Sequence, residues 1–378
     1  MILSFKCSPE LKGKIDTLIN KGLYEDFSSF CTVALENQLL LEETHLQPAT
    51  SVKPSLVTNK TKPIKSVIEP EMKLLNTAPS SPQPVNQETR ANASESLSLA
   101  QLPEKPPFEL PTANPDMFTL DQQVPVERWL FGQYNRLFPV KVSVRALATL
   151  SGTGKDALVL DQVGPQIAEI AAQFGNHLRE LDKRYGKHRD DALATAFPDA
   201  GVEGQKGKVR YQNQFVGQTV KGEQGGLLIG LKLAIIQIKK NKPHIFLTTA
   251  GWDLARLSNP LLDLPATETT LKLSEEDISF MLKHISKNVP VELFPYRVLL
   301  SLIAAGNSTP DTMNQGIAKF LGPERKLEEE QAFISTQRTG VLGRMSDLDL
   351  IGRTRQGTRI TYNLTPRGQH FLKEIGTI

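Results

Sequence analysis

Apolar and polar residues alternate at the very start of the chain. Leu3, Phe5 and Cys7 fall on one side of an extended segment, which predicts a short, half-buried strand. Ser8 and Pro9 follow, and this pair is typical of a helix start, because serine caps free amides and proline fits the first turn. The pattern therefore predicts a strand followed by a helix.

A glycine and a second apolar run come next. Gly22 is expected to end the first helix, and Asp26 or Ser28 to cap a second helix that runs to about residue 43. This second helix is apolar on nearly all sides, so a module of about 45 residues cannot bury it alone. We therefore expect two chains to bury it together, as a homodimer or a higher homo-oligomer.

Strand, helix, glycine turn and helix in residues 1–45 resemble the ribbon-helix-helix family of the Arc and MetJ type, chiefly through residues 21–37. The resemblance implies that paired strands enter the major groove of double-stranded DNA. Strand residues would then face base edges, and the start of the second helix would hold a phosphate. The residues implied are Ser4, Lys6, Ser28 and Ser29. A dimerisation module without base readout is the alternative.

The periodic pattern disappears between residues 46 and 117. This segment holds twelve of the 25 prolines of the chain, together with many serine, threonine, asparagine and glutamine residues. Such a composition cannot bury enough apolar surface to offset the entropy lost on ordering. We expect a disordered, partly extended linker between the N-terminal module and a larger body.

The body contains an internal repeat. Leu-Phe-Pro opens an apolar helix at residue 137 and again at residue 293. Downstream of each, a short strand leads into Leu-Thr and then into a helix that contains a glycine, at residues 247–251 and 364–368. Such repeats indicate a duplicated fold, and the pattern places its two units at residues 118–262 and 275–378.

The second unit resembles a winged-helix domain in the order of its elements. We predict helices over 294–305, 309–321 and 335–348, a hairpin over 349–364 with its turn at residues 356 and 357, and a closing helix over 366–375. The resemblance implies that the third helix enters the major groove, where arginine and glutamine can read guanine and adenine.

Six side chains of this unit are the expected contacts with DNA. The third helix would present Gln337, Arg338 and Arg344, and the hairpin would present Arg353, Arg355 and Arg359. Arginines on such a hairpin suit phosphates or the minor groove. A solvated surface hairpin would also tolerate three arginines.

The first unit is less regular. We expect a long amphipathic helix over 164–185 as an insertion, and a hairpin over 235–248 with its turn at residues 241 and 242. The tip of this hairpin carries further expected DNA contacts, which are Lys239, Lys240 and Lys242. The glycine-rich stretch 222–232 is a poor candidate for a recognition helix, and a packing role is the alternative.

Charge is segregated along the body. Residues 206–242 contain eight basic residues against one acid, and residues 333–378 contain seven against three, although the chain as a whole carries only +3. Such basic patches favour a polyanion as partner, with solvated faces as the alternative. The sequence as a whole predicts a mainly α fold with small β elements (α+β).

Motifs for catalysis are weak. Ser151-Gly-Thr-Gly-Lys-Asp lacks two residue types that a phosphate loop requires, and Asp311 with Glu324 lacks the paired strands of a magnesium site. Six scattered histidines and two cysteines without a Cys-x-x-Cys pair indicate neither a catalytic triad nor zinc. We therefore expect no enzyme activity, no catalytic residue, no metal and no cofactor.

The expected location is the cytoplasm, without a membrane partner. No apolar stretch approaches the roughly 18 residues of a membrane helix, and the first residues lack the pattern of a signal peptide. Three functions fit these features. The first is a dimeric transcriptional regulator, the second a replication-initiator or partition-type DNA-binding protein of a plasmid or phage, and the third an adaptor that dimerises and binds a protein. The second rests on fold-level analogy.

Overall fold

The computed structural model describes residues 12, 13, 15, 16, 27, 99–115, 117–152, 157–187, 191–201, 204–220, 223–263 and 271–378. The predicted strand and most of the two predicted helices of module 1–45 lie outside these residues. The described residues from 99 onward belong to one compact unit. This unit is mainly helical with small antiparallel sheets, as the predicted α+β class requires.

The first repeat extends from residue 138 to residue 256. Its helices are α1 (Phe138–Ser151), α2 (Leu160–Arg184), α3 (Gln205–Tyr211), α4 (Leu227–Gly230) and α5 (Thr249–Arg256), with a π-helical segment at Gln212–Val216. Its strands are β1 (Leu158–Val159), β2 (Gln218–Val220), β3 (Glu223–Gly225), β4 (Ala234–Lys239) and β5 (Lys242–Leu247). Strands β4 and β5 form the first hairpin, β1 pairs with the outer edge of β5, and β2 pairs with β3 in a separate sheet.

The second repeat extends from residue 290 to residue 375. Two helices precede it, namely α6 (Pro260–Asp263) and α7 (Glu275–Asn288). Its own helices are α8 (Pro290–Ala304), α9 (Pro310–Ile317), α10 (Leu327–Asp347) and α11 (Pro366–Ile375), with a 3-10 turn at Ala318–Phe320. Strands β6 (Ile351–Gln356) and β7 (Arg359–Leu364) form the second hairpin, a two-stranded antiparallel sheet.

Most predicted elements of the body are present. The closing helix α11 has the predicted bounds, because the Thr365 side chain caps it and Pro366 takes its first position. Helix α2 is the predicted insertion. Helix α10 begins eight residues before the predicted start at residue 335, since three glutamates that suit a helix N-terminus fill its first turn. The stretch 222–232 is no long helix. It contains β3 and α4 and contributes Leu227 and Leu228 to the core.

The two repeats share the joint at which each hairpin meets its closing helix. Every residue of the second joint lies 117 positions after its counterpart in the first, as Asp349 follows Lys232 and Thr365 follows Thr248. Lys232 and Asp349 both have positive φ, at 58° and 54°. The Thr248 amide donates to the Leu233 carbonyl at 3.0 Å, and the matching bond in the second repeat measures 3.2 Å. The hairpin and closing helix of the internal repeat are therefore joined in the same way in both copies.

Both hairpin turns lie one residue away from their predicted positions. In the first, Lys239 pairs with Lys242, so the turn consists of Lys240 and Asn241, which both have positive φ. This is the turn type whose twist matches that of two antiparallel strands. In the second, the turn begins at Gly357, whose φ of 61° suits glycine at the first turn position.

One continuous core runs through both repeats. Lys141 of α1 is buried in it and bonds the carbonyls of Leu254 and Leu257 at the end of α5, both at 2.7 Å. The same ammonium pairs with the buried Asp277 of α7 at 2.7 Å. Burial lowers the pKa of Lys141, while the charge of Asp277 opposes that shift. This cluster therefore connects the first repeat to the helix that precedes the second.

The end of the predicted linker packs against the body. Leu99 and Leu110 are buried, and Arg145 donates to the Leu99 carbonyl at 2.8 Å. Lys105 forms an ion pair with Asp253 of α5 at 2.9 Å. Residues 99–115 contain turns and bends but no helix or strand, and these contacts hold them against the body, so the body begins before the predicted boundary at residue 117.

Candidate nucleic-acid interface

The tip of the first hairpin is a cluster of exposed lysines. Lys239 and Lys242 lie directly opposite each other across β4 and β5, and Lys240 occupies the turn between them. The Lys239 ammonium lies 4.3 Å from the centre of the Phe246 ring, which orients it by a cation–π contact. The structure thus brings together the three residues that the sequence predicted for this tip.

The tip of the second hairpin carries three exposed arginines. Arg353 and Arg355 lie two residues apart on β6 and so share one face, whereas Arg359 pairs with Gln356 on the opposite face. The Arg355 side chain donates to the Gly357 carbonyl at 3.0 Å, which holds it against the turn. Its remaining donors point away from the core, as the residue is exposed.

Neither hairpin contains an acidic residue. The strands and turns over 234–247 and 351–364 include six lysines and arginines and no aspartate or glutamate. Like charges directly opposite each other, as at Lys239 and Lys242, destabilise a hairpin. A nearby polyanion would remove that cost, so the arrangement suits phosphate groups.

Helix α10 does not present the side chains predicted to read bases. Gln337 and Arg344 are only 2% and 0% exposed, so a base edge cannot reach them. The Gln337 amide donates to the Val126 carbonyl at 3.2 Å. Arg344 forms two bonds with the buried Glu292 of α8, at 2.5 and 2.8 Å, and also donates to the Tyr134 carbonyl. The assignment of these two residues to DNA is therefore corrected to a structural role.

The ion pair with Glu292 helps Arg344 keep its charge in the interior. Burial alone would lower the pKa of Arg344, but the charge of Glu292 and its hydrogen bonds raise it above the ordinary value. Arg338 is half-buried, and its guanidinium donates to the Pro310 carbonyl at 2.8 Å and to the Asn314 side chain. These contacts orient Arg338 toward α9, away from the position that base readout requires.

A segment we call the strap, residues 126–136, covers α10. Gly132 approaches so closely that a methyl group on Gly340 would lie 2.3 Å from the Gly132 carbonyl oxygen. Arg136 at the end of the strap pairs with Asp347 of α10 at 3.1 Å. The exposed residues in the first turn of the helix are the acids Glu328 and Glu329, which DNA would repel. The strap and these acids make α10 unsuitable for the major groove.

Sequence reasoning missed the strap. The signal was available in Gly340 and Gly343 of α10, because glycine within a helix that is otherwise well formed usually marks close backbone packing. What the sequence did not show was which segment packs there. The predicted N-terminal contacts Ser4, Lys6, Ser28 and Ser29 lie outside the described residues.

The carboxylates considered for a metal lie in different settings. Asp311 is in the first turn of α9, and Glu324 is in the exposed loop before α10. Among the described residues, no group of three or more histidine, cysteine, aspartate or glutamate side chains could hold a metal ion. The described helices also include none with the length and apolarity needed to cross a bilayer.

Comparison with known proteins returned no family model, no curated protein and no solved structure that matches the chain.

Proposed function

We propose that the protein binds double-stranded DNA in a sequence-dependent manner and acts as a dimeric transcriptional regulator. In this proposal the two repeats are tandem winged-helix-like units and the two hairpins are their wings. The observation that carries it is the repetition of one surface feature. Each repeat carries, before its closing helix, an exposed hairpin with three basic residues and no acid.

The repetition argues against chance. The joint that supports each hairpin is reproduced bond for bond, whereas the residues at the tips differ in type and agree in charge. Lysine is a compact point charge that suits phosphate oxygens. Arginine is a planar fork that also enters narrow minor grooves. The first wing would therefore hold the backbone, and the second would sense groove width.

The covered α10 changes how the body would recognise sequence. With Gln337 and Arg344 buried, the body would read DNA shape through its wings, while direct base contacts would come from the proposed N-terminal ribbon at Ser4 and Lys6. The body alone should then show modest sequence preference and strong dependence on salt.

The test is a salt titration of DNA affinity by fluorescence anisotropy on the full chain. One variant replaces Lys239, Lys240 and Lys242 with alanine, and another replaces Arg353, Arg355 and Arg359. Each triple variant should flatten the plot of log affinity against log salt by roughly two to three, since each phosphate contact contributes about 0.9 to the slope.

A charge-matched control replaces three exposed lysines away from both hairpins, which are Lys283, Lys319 and Lys373. It removes the same net charge and should leave the slope within about one of wild type. If both hairpin variants keep the wild-type slope, or if the control lowers it equally, the hairpins are not DNA sites. The adaptor function would then take first place.

Duplication of the unit within one chain favours a second candidate, a replication initiator of plasmid or phage type. Two wings in one chain can contact two neighbouring stretches of DNA without a partner chain. Footprinting on the DNA that flanks the gene separates the candidates. A single palindrome near the promoter of the gene would support a regulator, and a row of direct repeats would support an initiator.

A further inference from the structure

A cavity of about 710 Å³ lies beside the first joint, away from both hairpin tips. Its walls are the segment 111–121, the start of α5 and the end of α7. The volume falls within the range of small-molecule sites, which is about 300–1,000 Å³. The function proposed above makes no use of this cavity.

The lining combines positive charge with apolar surface. Lys232 and Lys287 contribute the positive charge, and Phe118, Leu120 and Pro290 contribute apolar surface. Among the described residues of the lining the acid is Asp121, and its carboxylate accepts the Thr119 hydroxyl at 2.6 Å. The chemistry suits an occupant with an anionic group and an apolar body.

The second joint differs from the first in two residues beside this position. There Asp349 replaces Lys232, and Arg367 replaces Ala250. The Arg367 side chain bonds Asp349 at 3.4 Å and Glu275 at 2.8 Å, so a long side chain lies over this joint. In the first repeat the small Ala250 leaves the space open beside a positive residue.

Two hydrogen bonds hold the backbone at the floor of the cavity. His284 bonds the Leu231 carbonyl at 2.8 Å through Nε2, and the Thr248 hydroxyl donates to the Lys232 carbonyl at 2.8 Å. Both contacts fix backbone that leads into β4. An occupant would thus meet a preformed surface and would touch residues that hold the first hairpin.

We propose that this cavity binds a small organic anion with an aromatic or aliphatic body. The anion would pair with Lys287 and Lys232, and the body would pack against Phe118 and Pro290. The proposal does not depend on DNA binding, and either can fail without the other.

The probe is anilinonaphthalene sulfonate, an aromatic sulfonate whose fluorescence rises in apolar surroundings. Titration of the full chain should give a saturable rise. Lys287→Ala should weaken binding about 3- to 5-fold, the upper end of what losing one exposed charge contact costs. Ala250→Leu should weaken it 10-fold or more, because Ala250 lines the cavity and a larger side chain there would occupy part of its space.

Lys283→Ala is the matched control, because Lys283 is exposed one turn earlier on α7 and does not line the cavity. It should keep the affinity within about twofold of wild type. Thermal unfolding checks that Ala250→Leu is folded. If it is not, the affinity of Lys287→Ala for the probe is the deciding measurement, because Lys287 is exposed. Wild-type affinity in Lys287→Ala, or an equal loss in Lys283→Ala, would overturn the site.

Discussion

The two repeats carry their hairpins on matching joints and differ in the element that precedes each joint. In the second repeat that element is the continuous helix α10. In the first, the matching stretch is divided into a π-helical segment, the β2–β3 sheet and the single turn α4. The Gln224 side chain of that sheet donates to the Ile236 carbonyl of β4 at 2.9 Å, so the sheet supports the hairpin directly.

This difference distinguishes the elements that both repeats contain from the element that only one of them contains. A hairpin fixed to a closing helix is retained in both repeats, whereas a long third helix is retained in one. Where α10 is present, the strap buries it, and where it is broken, leucines of α4 fill the core. The common exposed feature is the basic hairpin, and for this reason we assign the proposed function to the hairpins.

The largest expected effect on the free energy of unfolding comes from glycine variants at the two joints, and it tests whether the joints contribute equally to stability. A methyl group on Gly251 would lie 2.0 Å from the Leu233 carbonyl oxygen, and one on Gly368 would lie 1.9 Å from that of Leu350. Gly251→Ala and Gly368→Ala should each lower the free energy of unfolding by about 4 kcal/mol or more, since backbone must move in both. Urea unfolding measures this.

Gly207→Ala on α3 is the control, because its methyl group would lie 3.3 Å from a Pro198 side-chain atom. It should change the free energy of unfolding by less than about 1 kcal/mol. Tolerance of alanine at Gly251 together with intolerance at Gly368 would show that the two joints are not equivalent in energy.

Local sequence patterns were enough to predict the joints. They could not predict which side chains are buried by contacts with residues far away in the chain. The bounds of α11 followed from Thr365 and Pro366, which act on their own neighbours. The burial of Arg344 depends on Glu292, which lies 52 residues earlier in the chain, and no local pattern connects them. A polar helix that is buried by a strap looks, in sequence, like a helix that faces DNA.

The next largest effect on the free energy of unfolding is expected at the buried pair of Arg344 and Glu292. By the 117-residue offset, the counterpart of Arg344 in the first repeat is Leu227, which is fully buried and apolar. Arg344→Met should cost about 3–5 kcal/mol, because it leaves Glu292 charged and unpaired in the interior. Urea unfolding measures the loss.

Replacing both partners, as Glu292→Leu with Arg344→Met, should recover more than half of that loss, since no unpaired charge is then left in the interior. A variant Arg344→Met that unfolds like wild type but loses DNA affinity would return Arg344 to the interface. The two readouts therefore separate a structural arginine from one that contacts DNA.

The smallest effect is a pH dependence confined to the first joint, where His284 bonds the Leu231 carbonyl and accepts from Asn288 at 3.3 Å. Burial lowers the pKa of His284, the bond to Leu231 opposes the shift, and the charge of Lys232 adds to it. The folded protein therefore favours the neutral ring. The stability this provides is complete above the ordinary pKa of about 6.5 and is lost as pH falls through the lower folded value, by at most about 1.4 kcal/mol per pH unit.

Hydrogen exchange, corrected for intrinsic rates, should show β4 and β5 losing protection relative to β6 and β7 between about pH 7.5 and pH 5. His284→Gln should abolish that difference, because its amide can still bond Leu231 but does not titrate. Parallel loss of protection in both hairpins would show that His284 does not act on the first joint alone.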